Sequence, residues 1–339
     1  MSIASEITRI NTNIANAYTA CDGKGATMPQ TQNSANLATC INSIQTGGGS
    51  FVGLPREVSN DGLFQVPTSS FTFSLPSNAT NIATHAMGYA FYNCSGVTSA
   101  DLSSLTTLNR GHAMEYAFYG CTNLTSVDLS SLTSAGGTSV MNNAFYGCRN
   151  LISVDLSSLT TISGSSSMAY AFYDCTNLTS VDLSSLTTVD GSKAMDNTFN
   201  GCSSLTSVDL SSLTTIGENN SSENYSQFNL CFNDCTNLTT LTFANLEKIY
   251  CTGTNSVTYG TFSSNSTIQK IYFPKLDYIG YGTGASSTNQ NACKYVFYGC
   301  SALTELHFGA ANQATIEASP GYSTAWGRGA GNVTIYFDL

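Results

Sequence analysis

Polar and apolar residues alternate along this chain in a phrase that keeps returning. In Ser126-Val127-Asp128-Leu129 the apolar pair falls on one side and the polar pair on the other, the two-residue period of a strand with one buried face. Apolar positions continue at Leu124, at Leu132 and, weakly, at Ala135, a slot that later copies fill with Ile162, Val189, Ile216, Ile249 and Ile279. Ahead of the strand, Met114, Ala117 and Phe118 stand at i, i+3 and i+4, which predicts one face of a short helical turn. The methionine recurs as Met87, Met141, Met168 and Met195, where its ordinary role is to fill core gaps between stacked units. Each unit reads as a strand, an SSLTT turn, a variable loop, a helical turn and a cysteine.

The unit has a fixed length. Cys94, Cys121, Cys148, Cys175 and Cys202 lie 27 residues apart. The pattern returns with insertions around Cys235, at Asn265 where the cysteine is lost, and around Cys300, so eight copies fill residues 85–316. A period of this size predicts a solenoid, in which each repeat buries its apolar face only against its neighbours. The recurring text AFYGC (144–148) and NLTSVDLSSLTT (177–188) resembles the BspA-type leucine-rich repeat. That resemblance implies a curved α/β solenoid with a parallel sheet, used for adhesion or receptor contact, and supplies no catalytic residues. A right-handed β-helix is the rival fold, and the helical turn in each copy weighs against it. SSFTFSL (69–75) reads as an opening strand and VTIYFDL (333–339) as a closing one with Ile335 and Phe337 inward, which gives a capped solenoid over 69–339.

The first residues differ in kind. Ile3, Ile7, Ile10, Ile14 and Ala17 are spaced 4, 3, 4 and 3, a heptad with isoleucine in both seam positions, which favours trimers or tetramers over dimers. The run is too short to be stable alone and needs partners or a socket. A second helix carrying Leu37, Ile41 and Ile44 follows a break at GKGATMP (23–29). Residues 1–46 are therefore read as a helical assembly module, with a helical hairpin packed on the solenoid end as the alternative. Residues 47–68, opening on GGGS, are read as a linker. The text EITRINTNIANAY (6–18), KGATMP (24–29) and NLATCINSI (36–44) also resembles the N-termini of tail, baseplate and fibre proteins of phages and prophages of Gram-positive gut bacteria. This second resemblance implies attachment to other virion proteins through residues 1–46 and a host-recognition domain beyond them, and the heptad then makes a homotrimer the expected assembly.

Composition narrows the function. Charged residues make up 9% of the 339 and the formal net charge is −10, with no Lys/Arg run, so phosphate neutralisation on a nucleic acid is not expected. No apolar stretch reaches the ~20 residues of a membrane span, and MSIASEITRINTN lacks the apolar core and basic start of a secretory signal. These features fit a virion protein assembled in the host cytoplasm; a bacterial surface adhesin is the alternative, and a polysaccharide-cleaving fibre the next. Of the 12 cysteines, seven occupy the repeat's own slot, Cys231 takes an alanine slot and Cys293 a methionine slot. They are expected to be reduced, buried core residues, with no metal and no cofactor.

The outward strand positions make two ladders. One runs Ser99, Ser126, Ser153, Ser180, Ser207, Thr240, Lys270, Glu305; the other runs Asp101, Asp128, Asp155, Asp182, Asp209, Thr242, Tyr272, His307. A solvated polar face is the ordinary reading of the carboxylates, and weak calcium binding is the next. A retaining glycosidase fits their spacing, but five identical rungs offer no distinct acid and nucleophile. None of His85, His112 and His307 lies in a nucleophile motif. In the last copies the loops lengthen into text rich in Tyr, Ser, Gly and Asn, a composition suited to recognition. Free drift of solenoid insertions would give similar loops, but the strand ladders change chemistry in the same repeats. The expected receptor-binding residues are Tyr225, Tyr250, Tyr259, Lys270, Tyr272, Tyr281, Glu305, His307, Tyr322 and Trp326, facing a host cell-surface glycan or protein.

Overall fold

The computed structural model describes residues 57–58, 64–65, 70–75, 77, 79–216, 228–250, 265, 267–280, 300–319 and 333–339. The heptad residues Ile3, Ile7, Ile10, Ile14 and Ala17 lie outside them, as does the rest of the helical module. Two short strands, β1 (Glu57–Val58) and β2 (Phe64–Gln65), pair antiparallel within the segment read as a linker. After β3 (Phe71–Ser74), each turn of the chain contributes two strands. They are β4 (Val97–Asp101) and β5 (Thr107–Leu108), β6 (Ser126–Asp128) and β7 (Ser134–Ala135), β8 (Ser153–Asp155) and β9 (Thr161–Ile162), then β10 (Ser180–Asp182) and β11 (Thr188–Val189). The series continues with β12 (Ser207–Asp209) and β13 (Thr215–Ile216), β14 (Thr240–Thr242) and β15 (Lys248–Tyr250), and β16 (Lys270–Phe273) and β17 (Tyr278–Gly280). Then come β18 (Glu305–Phe308), a 3-10 turn (Ala310–Asn312), the helix α1 (Gln313–Glu317) and β19 (Thr334–Phe337).

The first strand of each rung joins one 10-stranded parallel sheet in the order β3-β4-β6-β8-β10-β12-β14-β16-β18-β19. The second strands form a 4-stranded sheet, β5 to β11, and a 3-stranded sheet, β13 to β17. The register follows the repeat: Val127 pairs with Val154, Val181 with Val208, and Asp155 with Asp182. Within Ser-Val-Asp only the valine is buried, as the alternation requires. The chain is a parallel-sheet solenoid with a period of 27 over its regular rungs.

The helical turn expected ahead of each cysteine is corrected. Met114, Ala117 and Phe118 are fully buried, but they sit on a run of overlapping turns. Ala117 N–H donates to Met114 O (3.0 Å) and Cys121 N–H to Phe118 O (3.1 Å). The intervening amides leave the turn: Met114 N–H donates to Val140 O (2.7 Å) and Phe118 N–H to Ala144 O (2.7 Å), both one rung ahead. Every fourth residue has a positive φ, as at His112 (58°), Tyr116 (55°) and Gly120 (68°), which no right-handed helix allows. Left-handed non-glycine residues each cost about 1 kcal/mol, and the rung-to-rung hydrogen bonds offset that. The last slot of the run is held by Asn93, Gly120, Gly147, Asp174, Gly201 and Asp234, residue types that tolerate this conformation.

Side chains join the rungs in columns. Phe91, Phe118, Phe145, Phe172, Phe199 and Phe232 stack with ring centroids 4.7, 5.3, 5.2, 5.5 and 5.7 Å apart. The threonine after SSL donates to the rung before it, as in Thr133 Oγ1 to Thr106 O (2.9 Å) and Thr160 Oγ1 to Thr133 O (3.0 Å). The slot cysteines from Cys121 to Cys235 do the same: Cys121 Sγ–H donates to Phe91 O (3.0 Å), Cys148 to Phe118 O (3.1 Å), Cys175 to Phe145 O (3.2 Å), Cys202 to Phe172 O (3.2 Å) and Cys235 to Phe199 O (3.1 Å). Where the cysteine is lost, Asn265 Nδ2 donates to Phe232 O (2.9 Å), so the slot keeps a donor although its residue changes. The eight described cysteines are buried thiols, and burial pushes those of Cys121, Cys148, Cys175, Cys202, Cys231, Cys235 and Cys300 up, to about 12 at Cys300.

This assigns the cysteine column a hydrogen-bonding duty beyond filling space. Cys148→Ser is expected to cost about 1 kcal/mol or less, because the hydroxyl inherits the bond to Phe118 O. Cys148→Val, close in volume but without a donor, is expected to cost about 1–2 kcal/mol. Urea unfolding of the two variants checks this, and equal losses would remove the hydrogen bond from the explanation.

Candidate functional site

The outward face of the long sheet carries two different chemistries. Its early rungs form a shallow groove of about 760 Å³ lined by serines and by Asp101, Asp128, Asp155 and Asp182. Each carboxylate is committed to the turn that ends its strand: the amides of Ser103, Ser130, Ser157, Ser184 and Ser211 donate to the Oδ1 atoms of Asp101, Asp128, Asp155, Asp182 and Asp209 at 2.9–3.1 Å. The Ser103 hydroxyl and amide together lower the Asp101 pKa. Repeated identically, this is the signature of a strand-ending turn, and no rung is set apart as an acid or a nucleophile. Among the described residues, no group of three or more His, Cys, Asp or Glu is placed to hold a metal. No helix among them is long and apolar enough to cross a membrane.

The late rungs differ because their sequence replaces the aspartate column with rings. In β16, β18 and β19 the register aligns Tyr272 with His307 and His307 with Tyr336. Their rings stack with centroids 4.8 and 4.7 Å apart. The neighbouring column aligns Lys270 with Glu305, and Lys270 Nζ lies 2.7 Å from Glu305 Oε2. Glu305 also meets His307 Nε2 at 3.0 Å, while His307 Nδ1 faces Asp338 at 2.9 Å. The Lys270 ammonium and the His307 ring hold the Glu305 pKa down. Tyr272 is 45% exposed and Tyr336 38%, whereas the His307 side chain between them is only 12% exposed. The result is a patch of aromatic edges, phenol hydroxyls and paired charges, which can offer hydrogen bonds in both directions beside flat apolar surface.

Of the expected binding residues, the structure brings Lys270, Tyr272, Glu305 and His307 into this one patch. Tyr250 closes β15, with its backbone paired to Gly280 in the separate 3-stranded sheet. Tyr225, Tyr259, Tyr281, Tyr322 and Trp326 lie outside the described residues. Two members were missed: Tyr336 and Asp338 belong to the segment read only as a closing strand. The signal was present, since Ile335 and Phe337 inward places Tyr336 outward. A second aromatic feature was also missed. On the turn side, Tyr92, Tyr119, Tyr146 and Tyr173 stack at 4.8, 4.7 and 4.7 Å, a column visible in the sequence as the tyrosine of each AFY.

Comparisons with known proteins address the family. The model of the BspA type leucine rich repeat region matches in 6 copies, over residues 59–167, 87–224, 115–289 and 195–319. No curated protein matches the chain in sequence. Among solved structures, a leucine-rich repeat protein from Bacteroides ovatus is 20% identical over 70% of this chain and 63% of its own, with a TM-score of 0.37. One from Eubacterium ventriosum is 21% identical over 59% of this chain and 45% of its own, with a TM-score of 0.37. A leucine rich cell surface protein from Faecalibacterium prausnitzii is 14% identical over 86% of this chain and 88% of its own, with a TM-score of 0.27. The chain thus spans less than two thirds of the first two of these structures. No catalytic family is indicated. With the helical turn gone as a criterion against a β-helix, the match over 59–319 decides the matter: the chain belongs to the BspA-type leucine-rich repeat family.

Proposed function

We propose that this is a non-enzymatic recognition protein that holds a cell-surface glycan or protein on the late rungs of its long sheet. One observation carries the reading: the outward column changes from five aspartates to Tyr272, His307 and Tyr336 within a single continuous register. Uniform early rungs suit a spacer, because they repeat one surface. Late rungs with exposed tyrosines and paired charges suit a contact, since tyrosine anchors dominate recognition energetics.

The carrier of the domain has two readings, each with its own support. The N-terminal text EITRINTNIANAY and the Ile3–Ala17 heptad favour a phage virion, with residues 1–46 joining other virion proteins as a homotrimer. Membership of the BspA-type family favours a bacterial surface adhesin equally well. Immunogold labelling of producing cells separates them, with label on released particles in one case and on the cell envelope in the other.

The recognition role is tested by retention of the purified chain on candidate host cells. Tyr272→Ala combined with Tyr336→Ala is expected to weaken retention more than tenfold, since one aromatic anchor is worth about 2 kcal/mol. Ser126→Ala with Ser180→Ala on the early rungs is expected to change it little. If the early pair abolishes retention and the late pair leaves it intact, the contact lies on the Ser/Asp face and the proposal fails.

A further inference from the structure

We propose that His307 is a pH-operated latch that fastens the last strand, β19, to the sheet and so holds the aromatic patch together. The effect on binding rests on the recognition role proposed above; the latch itself does not.

The geometry is that of an imidazolium. Both ring nitrogens face carboxylate oxygens, Nδ1 at 2.9 Å from Asp338 and Nε2 at 3.0 Å from Glu305. A protonated ring donates to both at once, whereas a neutral ring has one N–H and must turn a lone pair toward the other carboxylate. Tyr272 and Tyr336 cover the two faces of the ring, an arrangement that also favours the cation. The groups facing the ring are Lys270 and Tyr272 from β16, Glu305 from β18, Tyr336 from β19 and Asp338 just beyond it. With His307 charged, this set carries two positive and two negative charges.

When the ring loses its proton, the two carboxylates are not equally free to leave. Glu305 stays bound to Lys270 Nζ at 2.7 Å. Asp338 is 50% exposed and follows the edge strand of the sheet. The bond that goes is therefore the one to Asp338, a charge-assisted side-chain tie from β18 to the residue that follows β19. Backbone pairing of Glu305 with Thr334 through Phe308 with Phe337 remains, so β19 loosens without detaching. Partial burial pushes the His307 pKa down, but the bonds to Asp338 and Glu305 outweigh it and the net shift is upward. A raised value in the folded state means the tie is complete below the ordinary imidazole pKa of about 6.5 and is lost as pH rises through the folded value.

The test is amide hydrogen exchange of Thr334–Phe337 in the full chain, corrected for the intrinsic pH dependence of exchange, between about pH 5.5 and 8.5. Protection of β19 relative to β18 is expected to fall about tenfold across this range, the loss of one charge-assisted hydrogen bond. His307→Gln is expected to give low and pH-independent protection. Asp338→Asn, an exposed change that spares the core, is expected to flatten the profile in the same way. A wild-type profile without a pH step would overturn the latch, and so would a step that survives Asp338→Asn. If the step is present but Tyr272 and Tyr336 prove irrelevant to retention on cells, the latch stands and the recognition reading falls.

Discussion

Gly164→Ala is expected to destabilise the solenoid by about 3 kcal/mol, the upper end of the usual cost of overpacking, because it meets something that cannot move. The reason is a column of close approach. Gly137, Gly164 and Gly191 recur at the repeat period, and a Cβ on Gly164 would lie 2.2 Å from the carbonyl oxygen of Gly137. On Gly191 it would lie 2.3 Å from that of Gly164. These contacts are with backbone, so relief requires the rungs to move apart. Each rung is stable only through its neighbours, and the loss would spread along the array. Gly147→Ala is the control. Gly147 has φ +68°, but an added Cβ meets nothing within 4 Å, so only the backbone penalty of about 1 kcal/mol applies. Thermal and urea unfolding of both variants check the difference, and equal losses would mean that the rungs do not approach this closely.

The second large effect concerns pH. Asp196 is buried in the fifth regular rung, where its Oδ1 accepts from Asn229 N–H (3.0 Å) of the next rung. Burial raises its pKa from 3.8 to about 7, against the opposing pull of that hydrogen bond and of Lys193. The folded state therefore holds a proton that the unfolded state releases. Its contribution is complete below the unfolded value, declines as pH rises from about 4 to about 7, and is absent above. The expected loss over that window is about 2–4 kcal/mol. Asp196→Asn should remove most of the slope and raise the melting temperature at pH 8, because the amide still accepts from Asn229 without a buried charge. An unchanged pH profile in Asp196→Asn would show that this carboxyl is not the group responsible.

These effects mark where the sequence could and could not be read. The 27-residue period, the inward Val127 and Leu129 and the cysteine column were legible because burial alternates with strand geometry and repeats without error. The turn run was not. Inward Met114, Ala117 and Phe118 fit a helix and a chain of turns equally well, and only the positive φ at His112, Tyr116 and Gly120 separates them. A glycine or asparagine in the last slot was the available signal, but His112 and Tyr116 gave no warning. The glycine column was readable at the repeat period and was passed over, because a recurring glycine inside a variable loop looks like ordinary loop composition.

The patch divides in the same way. Lys270, Tyr272, Glu305 and His307 were legible since register carries one column across every rung. Asp338 was not, because its meeting with His307 depends on how the chain leaves β19, which no periodicity reports.

The most direct test of the account is an exchange footprint of the whole chain, free and bound to the surface preparation that retains it. New protection is expected to gather on Lys270–Phe273, Glu305–Phe308 and Thr334–Phe337, with Ser126–Asp209 unchanged. Protection confined to the strands between Ser126 and Asp209 would contradict it and place recognition on the aspartate face.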